Sequence, residues 1–416
     1  MRTSNKPMFA GWRGFVLLIV IGVVPLWHLH IINRMMAPQK ADMVAVWKGT
    51  QATFDGRDPY SDATMRDIQV FYYGREVTPA DRVNPMGYAY PMHTIILFAP
   101  IALLPWSAVR AVFFILLPLL IVVSSWLWLD ITGVPLSRPK TVFLCLCSWP
   151  SMWAIHQIQP TIIVATLLAG ACLLIQHGNM VPAGIFLAMA TIKPQLAAIL
   201  IAWLLLWTLL RNVWTLLLSF SFSLVALLAC ATWLLPGWVQ RWRVAATEYT
   251  AYRHLRLDLQ GVFGHFLGLI LSAALALCAI LLLWRCRRCA ANSSDFGAMC
   301  AVSLALTVCI LPTELAMTYN YVLLFPACFI LIESDLPEHS AGDLARSIAV
   351  GMIGWSFLSV MVSVLVETLI RPSDFLDALP FQTALLPTSI LVALIYPLLV
   401  EKFKPVRVPV DQIQSA

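Results

Sequence analysis

The chain has 416 residues, of which 60% are hydrophobic and only 12% are charged. Charged residues are about half as frequent as in an ordinary soluble domain, so the composition excludes a water-soluble globular protein. The net charge of +6 fits basic loops on the cytoplasmic side of a membrane, and no stacked basic and aromatic pattern indicates nucleic-acid binding.

Apolar stretches long enough to cross a bilayer recur along the whole chain. We therefore predict an all-α polytopic membrane protein that forms a single domain over residues 1–416, with about twelve transmembrane helices. The predicted spans are roughly 14–33, 107–129, 140–155, 160–176, 180–192, 195–210, 213–235, 260–284, 297–311, 318–333, 346–366 and 382–400.

The basic residues between these spans predict the topology. Arg138, Arg211 and the cluster Arg285 to Arg288 all fall on one side, which the positive-inside rule makes cytoplasmic. Both termini then lie in the cytoplasm. In an alternative parse that also gives about twelve spans, 93–104 is a short span and 180–210 is a single broken helix.

A large hydrophilic loop, residues 34–105, follows the first span and is predicted to be external. A loop of this length among short connections points to function. Met43, Val46, Trp47 and Phe54 recur at helical spacing, which predicts a short amphipathic helix lying along the outer membrane surface.

The same loop contains signals for a helix end and for turns. Gly56 is a plausible helix stop, and the sequence from Arg57 to Tyr60 contains Asp-Pro, which predicts a turn. Asn84-Pro85 and Tyr90-Pro91 mark the return of the chain towards the membrane.

Asp42 stands at the start of the predicted amphipathic helix, only nine residues after the first span. One interpretation is a helix cap, because an Asp side chain accepts hydrogen bonds from the first backbone amides. The other is a general base that takes the proton from an acceptor hydroxyl while the oxygen attacks an activated sugar carbon.

Lys193 interrupts an apolar region and precedes Pro194. A lone ammonium at bilayer depth costs a few kcal/mol, so Lys193 needs a partner, an aqueous cavity or a path to the interface. Snorkelling to the interface is the structural interpretation, and contact with the phosphate of a lipid-linked donor is the functional one. The predicted topology places Lys193 and Gln157 on the same side as Asp42.

The external segment 236–260 mixes charged and aromatic residues. Such a segment is usually only solvated. Its functional interpretation is contact with a sugar or phosphate, for which Arg253, His254 and Arg256 are the candidates, together with Glu314 near another outer helix end.

Several short motifs occur in a fixed order: Asp42, Trp47, Phe54 to Tyr60, Tyr88 to Pro91, His156-Gln157, Ala183-Gly184, Lys193-Pro194 and Tyr319-Asn320-Tyr321. This order resembles glycosyltransferase family 87, which includes polyprenyl-phosphate-mannose-dependent mannosyltransferases. The resemblance implies a GT-C membrane fold and makes Asp42 the catalytic base. It also suggests substrate contacts at motif residues, namely Tyr60, Tyr90, His156, Gln157, Lys193 and Asn320.

The chain departs from the family pattern at two places. The family commonly has Gly-Gln where this chain has His156-Gln157, and later members often have Trp and His where this chain has Pro312-Thr313-Glu314. These departures concern acceptor recognition, which varies within the family.

The sequence contains no Gly-rich nucleotide cradle, P-loop or metal-carboxylate cluster, which indicates a lipid-linked donor and predicts no metal or cofactor. The expected partners are a polyprenyl-phosphate sugar, a lipid or glycan acceptor, and membrane lipids. The expected reaction is a single inverting transfer of a hexose, mannose in particular, at the outer face of a bacterial inner membrane.

Two other classes of protein remain as alternatives. A transporter or lipid flippase also needs broken helices and buried polar residues. A non-catalytic membrane assembly factor would keep the fold without the reaction. Neither alternative accounts for the long first loop as simply as a transferase does.

Overall fold

The structure, a computed structural model, describes residues 40–78, 81, 85–251, 259–310, 317–333, 341–351, 353–354 and 379–400. Within these ranges all regular secondary structure is helical and no strand occurs, which confirms the predicted all-α class. The predicted first span, 14–33, and both termini lie outside the described residues.

Three helices form the described part of the first loop: α1 (Met43–Phe54), α2 (Asp62–Tyr73) and α3 (Thr94–Phe98), the last continued by the 3-10 segment Ala99–Leu103. Gly56 follows α1 at a positive φ of 73°, as its predicted role as a stop requires. Helix α2 was not predicted, although Ser61 caps its start and Gly74 closes its end in the left-handed conformation.

Helix α1 does not lie on the membrane surface as predicted. Eight of its twelve residues are buried, whereas Phe54 at its end is 60% exposed. The Trp47 ring packs against Phe71 of α2 at 5.3 Å between ring centroids and against Trp106 at 5.4 Å. Residues distant in the sequence therefore cover the face that a surface helix would present to lipid.

The remaining helices form the bundle. They are α4 (Trp106–Thr132), α5 (Arg138–Cys147), α6 (Trp149–His156), α7 (Thr161–Gln176), α8 (Met180–Ala190), α9 (Pro194–Leu210), α10 (Trp214–Leu234), α11 (Trp238–Ala251), α12 (Leu259–Phe263), α13 (His265–Arg285), α14 (Ser294–Ile310), the 3-10 segment Thr318–Leu324 with α15 (Phe325–Glu333), a helical stretch at 341–351, and α16 (Leu379–Val400).

Helices α4, α10 and α13 are long and apolar enough to cross a membrane. Helices α6 and α7, which meet at a bend of 120°, would make a fourth span if counted as one. The other apolar helical segments of the described chain, which include Leu385–Leu399 within α16, have only 10–17 residues. The predicted number of about twelve spans is therefore not confirmed.

One end of the bundle, here called the basic end, gathers the arginines between the spans. Arg211 donates to the carbonyl oxygen of Arg288 at 3.0 Å, and at the same end Ser219 of α10 donates to the carbonyl oxygen of Val181 at 2.7 Å. Helix α8 thus starts at the basic end and α9 returns to it. The alternative parse of 180–210 as one broken helix is wrong.

The segment 93–104 does not cross the bundle either. The Tyr60 hydroxyl donates to the carbonyl oxygen of Tyr90 just before this segment, and the Trp47 indole donates to that of Leu104 at its end. Both ends are therefore held by the first loop. Five α-helical and five 3-10 residues also span only about 17 Å, against about 30 Å of hydrocarbon.

Helices α8 and α10 approach closely at Gly184. A Cβ atom at this position would lie 2.6 Å from the backbone nitrogen of Phe220 and 2.7 Å from Cβ of Ser219. Only glycine leaves room for this contact. It fixes α8, and with it the turn that carries Lys193, against the rest of the bundle.

Candidate active site

Asp42 immediately precedes α1, and its side chain makes no capping hydrogen bond to that helix. Its backbone N–H donates instead to the carbonyl oxygen of Gln157 at 3.0 Å. Its carboxylate oxygen Oδ2 accepts a hydrogen bond from Nε2 of Gln159. The capping interpretation of Asp42 therefore does not hold, because the carboxylate points towards another part of the chain.

The connection between α6 and α7 brings two groups to Asp42. Between Gln157 and Gln159 lies Ile158, which is fully buried and has a positive φ of 47°. A β-branched residue rarely adopts this conformation, and strained residues of this kind concentrate at functional sites. The change of chain direction at Ile158 brings both the Gln157 carbonyl and the Gln159 side chain into contact with Asp42.

Lys193 lies in the turn between α8 and α9 and is only 6% exposed. Its ammonium donates to Oε1 of Gln159 at 2.7 Å and to Oγ1 of Thr161 at 3.0 Å. The ring centroids of Tyr319 and Tyr90 lie 5.3 and 5.8 Å from Nζ. Lys193 is thus held inside a polar and aromatic site, and the snorkelling interpretation does not hold.

The hydrogen bonds continue beyond Lys193. Thr161 Oγ1 donates to Oδ1 of Asn320, which is buried in the 3-10 segment Thr318–Leu324, at 3.0 Å. Five polar side chains from four parts of the chain therefore form one connected network: Asp42, Gln159, Lys193, Thr161 and Asn320.

A cavity of about 310 Å³ opens beside this network, a volume near the lower end of the range for small-molecule sites. Among the described residues that line it, Asp42 is the only acid and Lys193 the only base. Aromatic side chains form much of the remaining wall, together with small and polar residues: Tyr90, Trp242, Tyr249, Tyr319, Ala45, Gly87, Gln159, Gln195 and Asn320.

Helix α11 covers one side of the cavity. The Trp242 indole donates to the carbonyl oxygen of Ala89 at 3.0 Å, and Arg241 forms a 2.5 Å ion pair with Asp58 of the first loop. Trp242 and Tyr249 both line the cavity. The segment predicted to be external therefore contributes aromatic residues to the site.

Tyr60 and Tyr90 were both predicted to contact the substrate, but only Tyr90 lines the cavity. Burial raises the pKa of Tyr90, and the nearby negative charge of Asp42 raises it further, so its phenol stays protonated. Tyr60 helps to position Tyr90, because the Tyr60 hydroxyl donates to the Tyr90 carbonyl oxygen at 2.8 Å. Burial, followed by the charge of Asp58, raises the pKa of Tyr60 as well.

His156 and Gln157 border the site without lining the cavity. The buried His156 ring packs against Trp153 at 5.6 Å between centroids, and Gln157 contributes its backbone carbonyl. Asn320 does line the cavity. The four other predicted contacts, Arg253, His254, Arg256 and Glu314, lie outside the described residues.

Sequence reasoning missed Gln159, Thr161 and Trp242. A usable signal existed for Gln159, since it is a polar residue directly before Pro160 at the break between two apolar helices. The direction of its side chain depends on the φ of Ile158, which no sequence pattern predicts.

Comparison with known proteins identifies a family. Residues 88–313, slightly more than half of the chain, match the family model of glycosyltransferase family 87. The matched region contains Tyr90, Gln159, Lys193 and Trp242 but ends before Asn320 and begins after Asp42. No curated protein matches the chain.

Proposed function

Because the chain belongs to glycosyltransferase family 87, we propose that this membrane glycosyltransferase moves a hexose, mannose in particular, from a polyprenyl-phosphate sugar to a hydroxyl group of a lipid or glycan acceptor. The observation that carries the proposal is that one cavity holds a single carboxylate, Asp42, and a single ammonium, Lys193, among its described lining. An acceptor hydroxyl needs a base, and a phosphate needs a cation.

In the proposed reaction Asp42 removes the proton from the acceptor hydroxyl as its oxygen attacks the anomeric carbon of the donor sugar. A bond forms between that oxygen and the anomeric carbon, and the bond from this carbon to the phosphate oxygen breaks. The electron pair leaves with the polyprenyl phosphate. A single displacement of this kind inverts the configuration at the anomeric carbon.

Lys193 is proposed to hold the donor phosphate. Its ammonium has three N–H donors, of which two go to Gln159 and Thr161, so one remains for a phosphate oxygen. A phosphate is a stable leaving group, and the positive charge stabilises the negative charge that develops on it. The reaction therefore needs no strong general acid in this cavity.

The aromatic wall suits a sugar. Tyr90, Trp242, Tyr249 and Tyr319 each combine an apolar ring with a polar group. Such rings can pack against the C–H face of a pyranose while neighbouring polar groups bind its hydroxyls. Part of this wall comes from α11, which makes α11 a candidate for acceptor recognition.

The proposed orientation follows from the basic end. If the arginines of the basic end face the cytoplasm, the cavity at the opposite end faces the outer side of a bacterial inner membrane and both termini lie inside. A GT-C architecture fits this arrangement, since the base on the first external loop then meets a lipid donor at the outer membrane face.

The test is an assay of purified protein in lipid nanodiscs with a panel of polyprenyl-phosphate sugars and nucleotide sugars. Mass analysis would follow the prenyl phosphate that is released and the glycosylated acceptor. Release from a polyprenyl-phosphate sugar, lost in Asp42→Asn, supports the proposal. Use of nucleotide sugars alone contradicts the donor, and lipid translocation without any release contradicts the transferase mechanism.

A further inference from the structure

Gln159 connects the two charged residues of the site. Its side chain is 1% exposed, its Nε2 donates to the Asp42 carboxylate, and its Oε1 accepts from the Lys193 ammonium at 2.7 Å. Asp42 and Lys193 are therefore connected through hydrogen bonds to Gln159 as well as through the attraction of their charges. One amide group holds both at defined atoms.

The orientation of this amide is fixed by chemistry. An ammonium has donors only and an ionised carboxylate has acceptors only. Lys193 must therefore face the oxygen of Gln159, and Asp42 must face its nitrogen. The flipped amide would place two donors against each other at Lys193 and two acceptors against each other at Asp42, so the network permits one arrangement.

We propose that Gln159 is a positioning residue for the transfer reaction. Gln159 holds the Asp42 carboxylate in the orientation in which Asp42 takes the acceptor proton. It also keeps this carboxylate at a fixed distance from the phosphate that Lys193 holds. This inference rests on the proposed function of Asp42 as the base. Gln159 itself exchanges no proton with the substrate.

A hydrogen bond from the amide to Oδ2 restricts rotation of the carboxylate about the bond that joins it to Cβ. A carboxylate that can rotate spends part of its time in orientations that do not meet the acceptor hydroxyl. Misplacement of a reacting group by about 1 Å costs roughly 100-fold in rate. Holding the base and the phosphate-binding cation with one amide fixes their relative position without bringing them into a direct ion pair.

The first test compares Gln159→Ala with the matched control Gln176→Ala. Gln176 is the last residue of α7, the helix that begins two residues after Gln159, and its Nε2 donates to the carbonyl oxygen of Ile131 at the opposite end of the bundle. Loss of one charge-assisted hydrogen bond corresponds to about 10- to 100-fold in rate. We expect kcat of Gln159→Ala to fall by that factor, while Gln176→Ala keeps the wild-type kcat.

The second test uses Gln159→Glu, which preserves the shape of the side chain. A protonated glutamic acid can donate to Asp42 and accept from Lys193, as the amide does, whereas an ionised glutamate repels Asp42. Besides Asp42 and Lys193, the ionisable side chains among the described lining residues are Tyr90, Tyr249 and Tyr319. The activity of Gln159→Glu relative to wild type should rise as the pH falls from about 8 to about 5, because protonation of the introduced carboxyl removes its repulsion of Asp42 and restores the hydrogen bond to it.

The outcomes separate the two proposals. If Asp42→Asn is inactive while Gln159→Ala has wild-type kcat, the role of Gln159 is overturned and the base is not. A Gln159→Glu to wild-type activity ratio that stays constant with pH in a folded protein also overturns it. If Asp42→Asn is fully active, the proposed function itself fails.

Discussion

The backbone N–H of Asp42 donates to the carbonyl oxygen of Gln157 at 3.0 Å, so the start of the first loop is fixed to the break between α6 and α7 by a main-chain contact. The position of the Asp42 backbone therefore does not depend on the charge of its side chain. A substitution that removes the charge but keeps the shape leaves the residue in place.

Asp42→Asn should fold normally and bind the donor, but transfer should fall by about 10²- to 10⁴-fold, because an amide is not a base at neutral pH. Measuring the transfer rate together with donor binding in the purified variant checks this prediction. Asp130→Asn is the matched control, since Asp130 forms an exposed ion pair with Arg138 at the basic end and should leave transfer unchanged. Full transfer activity in Asp42→Asn would exclude it as the base.

Lys193→Ala should raise the donor concentration needed for half-maximal rate and lower kcat/KM by about 10- to 100-fold, because a charged hydrogen bond to the donor phosphate is lost. Lys193→Arg should keep part of the activity, since it retains the charge but not the geometry of the ammonium. Lys140→Ala, an exposed lysine at the basic end, is the control. An unchanged donor dependence in well-folded Lys193→Ala would assign Lys193 a structural role.

Gly184→Ala should destabilise the protein by about 1–3 kcal/mol, because the added Cβ meets the backbone of α10 at 2.6 Å and the main chain cannot yield as a side chain does. Thermal unfolding in detergent measures the effect. Gly351→Ala is the matched control, because Gly351 is exposed, lies in the helical stretch 341–351 and has no atom near the added Cβ. It should be neutral or gain up to about 1 kcal/mol from helix propensity. Equal melting temperatures for Gly184→Ala and the wild type would contradict the close helix contact.

The orientation can be tested with single cysteines introduced into a cysteine-free background. Ala63→Cys, exposed on α2, should react with an impermeant thiol reagent in intact cells, whereas Asn292→Cys at the basic end should react only after permeabilisation. Ser61 is a poorer position for the introduced cysteine, because the Ser61 hydroxyl caps α2. The reverse labelling pattern would place the cavity in the cytoplasm and rule out an external donor.

The sequence was sufficient to predict the all-α class, the position of α1 and the location of Asp42 and Lys193 on one side of the protein. Those predictions rest on local periodicity and on charge distribution, which a single sequence contains. The cavity between the two residues confirms that the chain brings them together.

What the sequence could not provide was the direction of side chains at irregular positions. The motif predicted that Gln157 contacts the substrate. The left-handed conformation of Ile158 instead directs the side chain of the next glutamine, Gln159, towards Asp42. The burial of α1 was missed for a related reason. The aromatic residues that cover it, Phe71 and Trp106, come from elements far along the chain whose packing is set by tertiary structure.

The shortness of α8 has a consequence for the surrounding lipid. With 11 residues, α8 rises only about 16 Å from the basic end to the turn at Lys193, roughly half the thickness of a bilayer's hydrocarbon core. Val181 and Ile185 face outwards along this short path. Under the proposed orientation, we therefore expect the membrane beside α8 to thin, or its headgroups to lie lower, at the level of the cavity. Under the proposed function, we expect the transfer rate to depend on acyl-chain length, because a thicker bilayer places the headgroup of a lipid donor farther above the ammonium of Lys193.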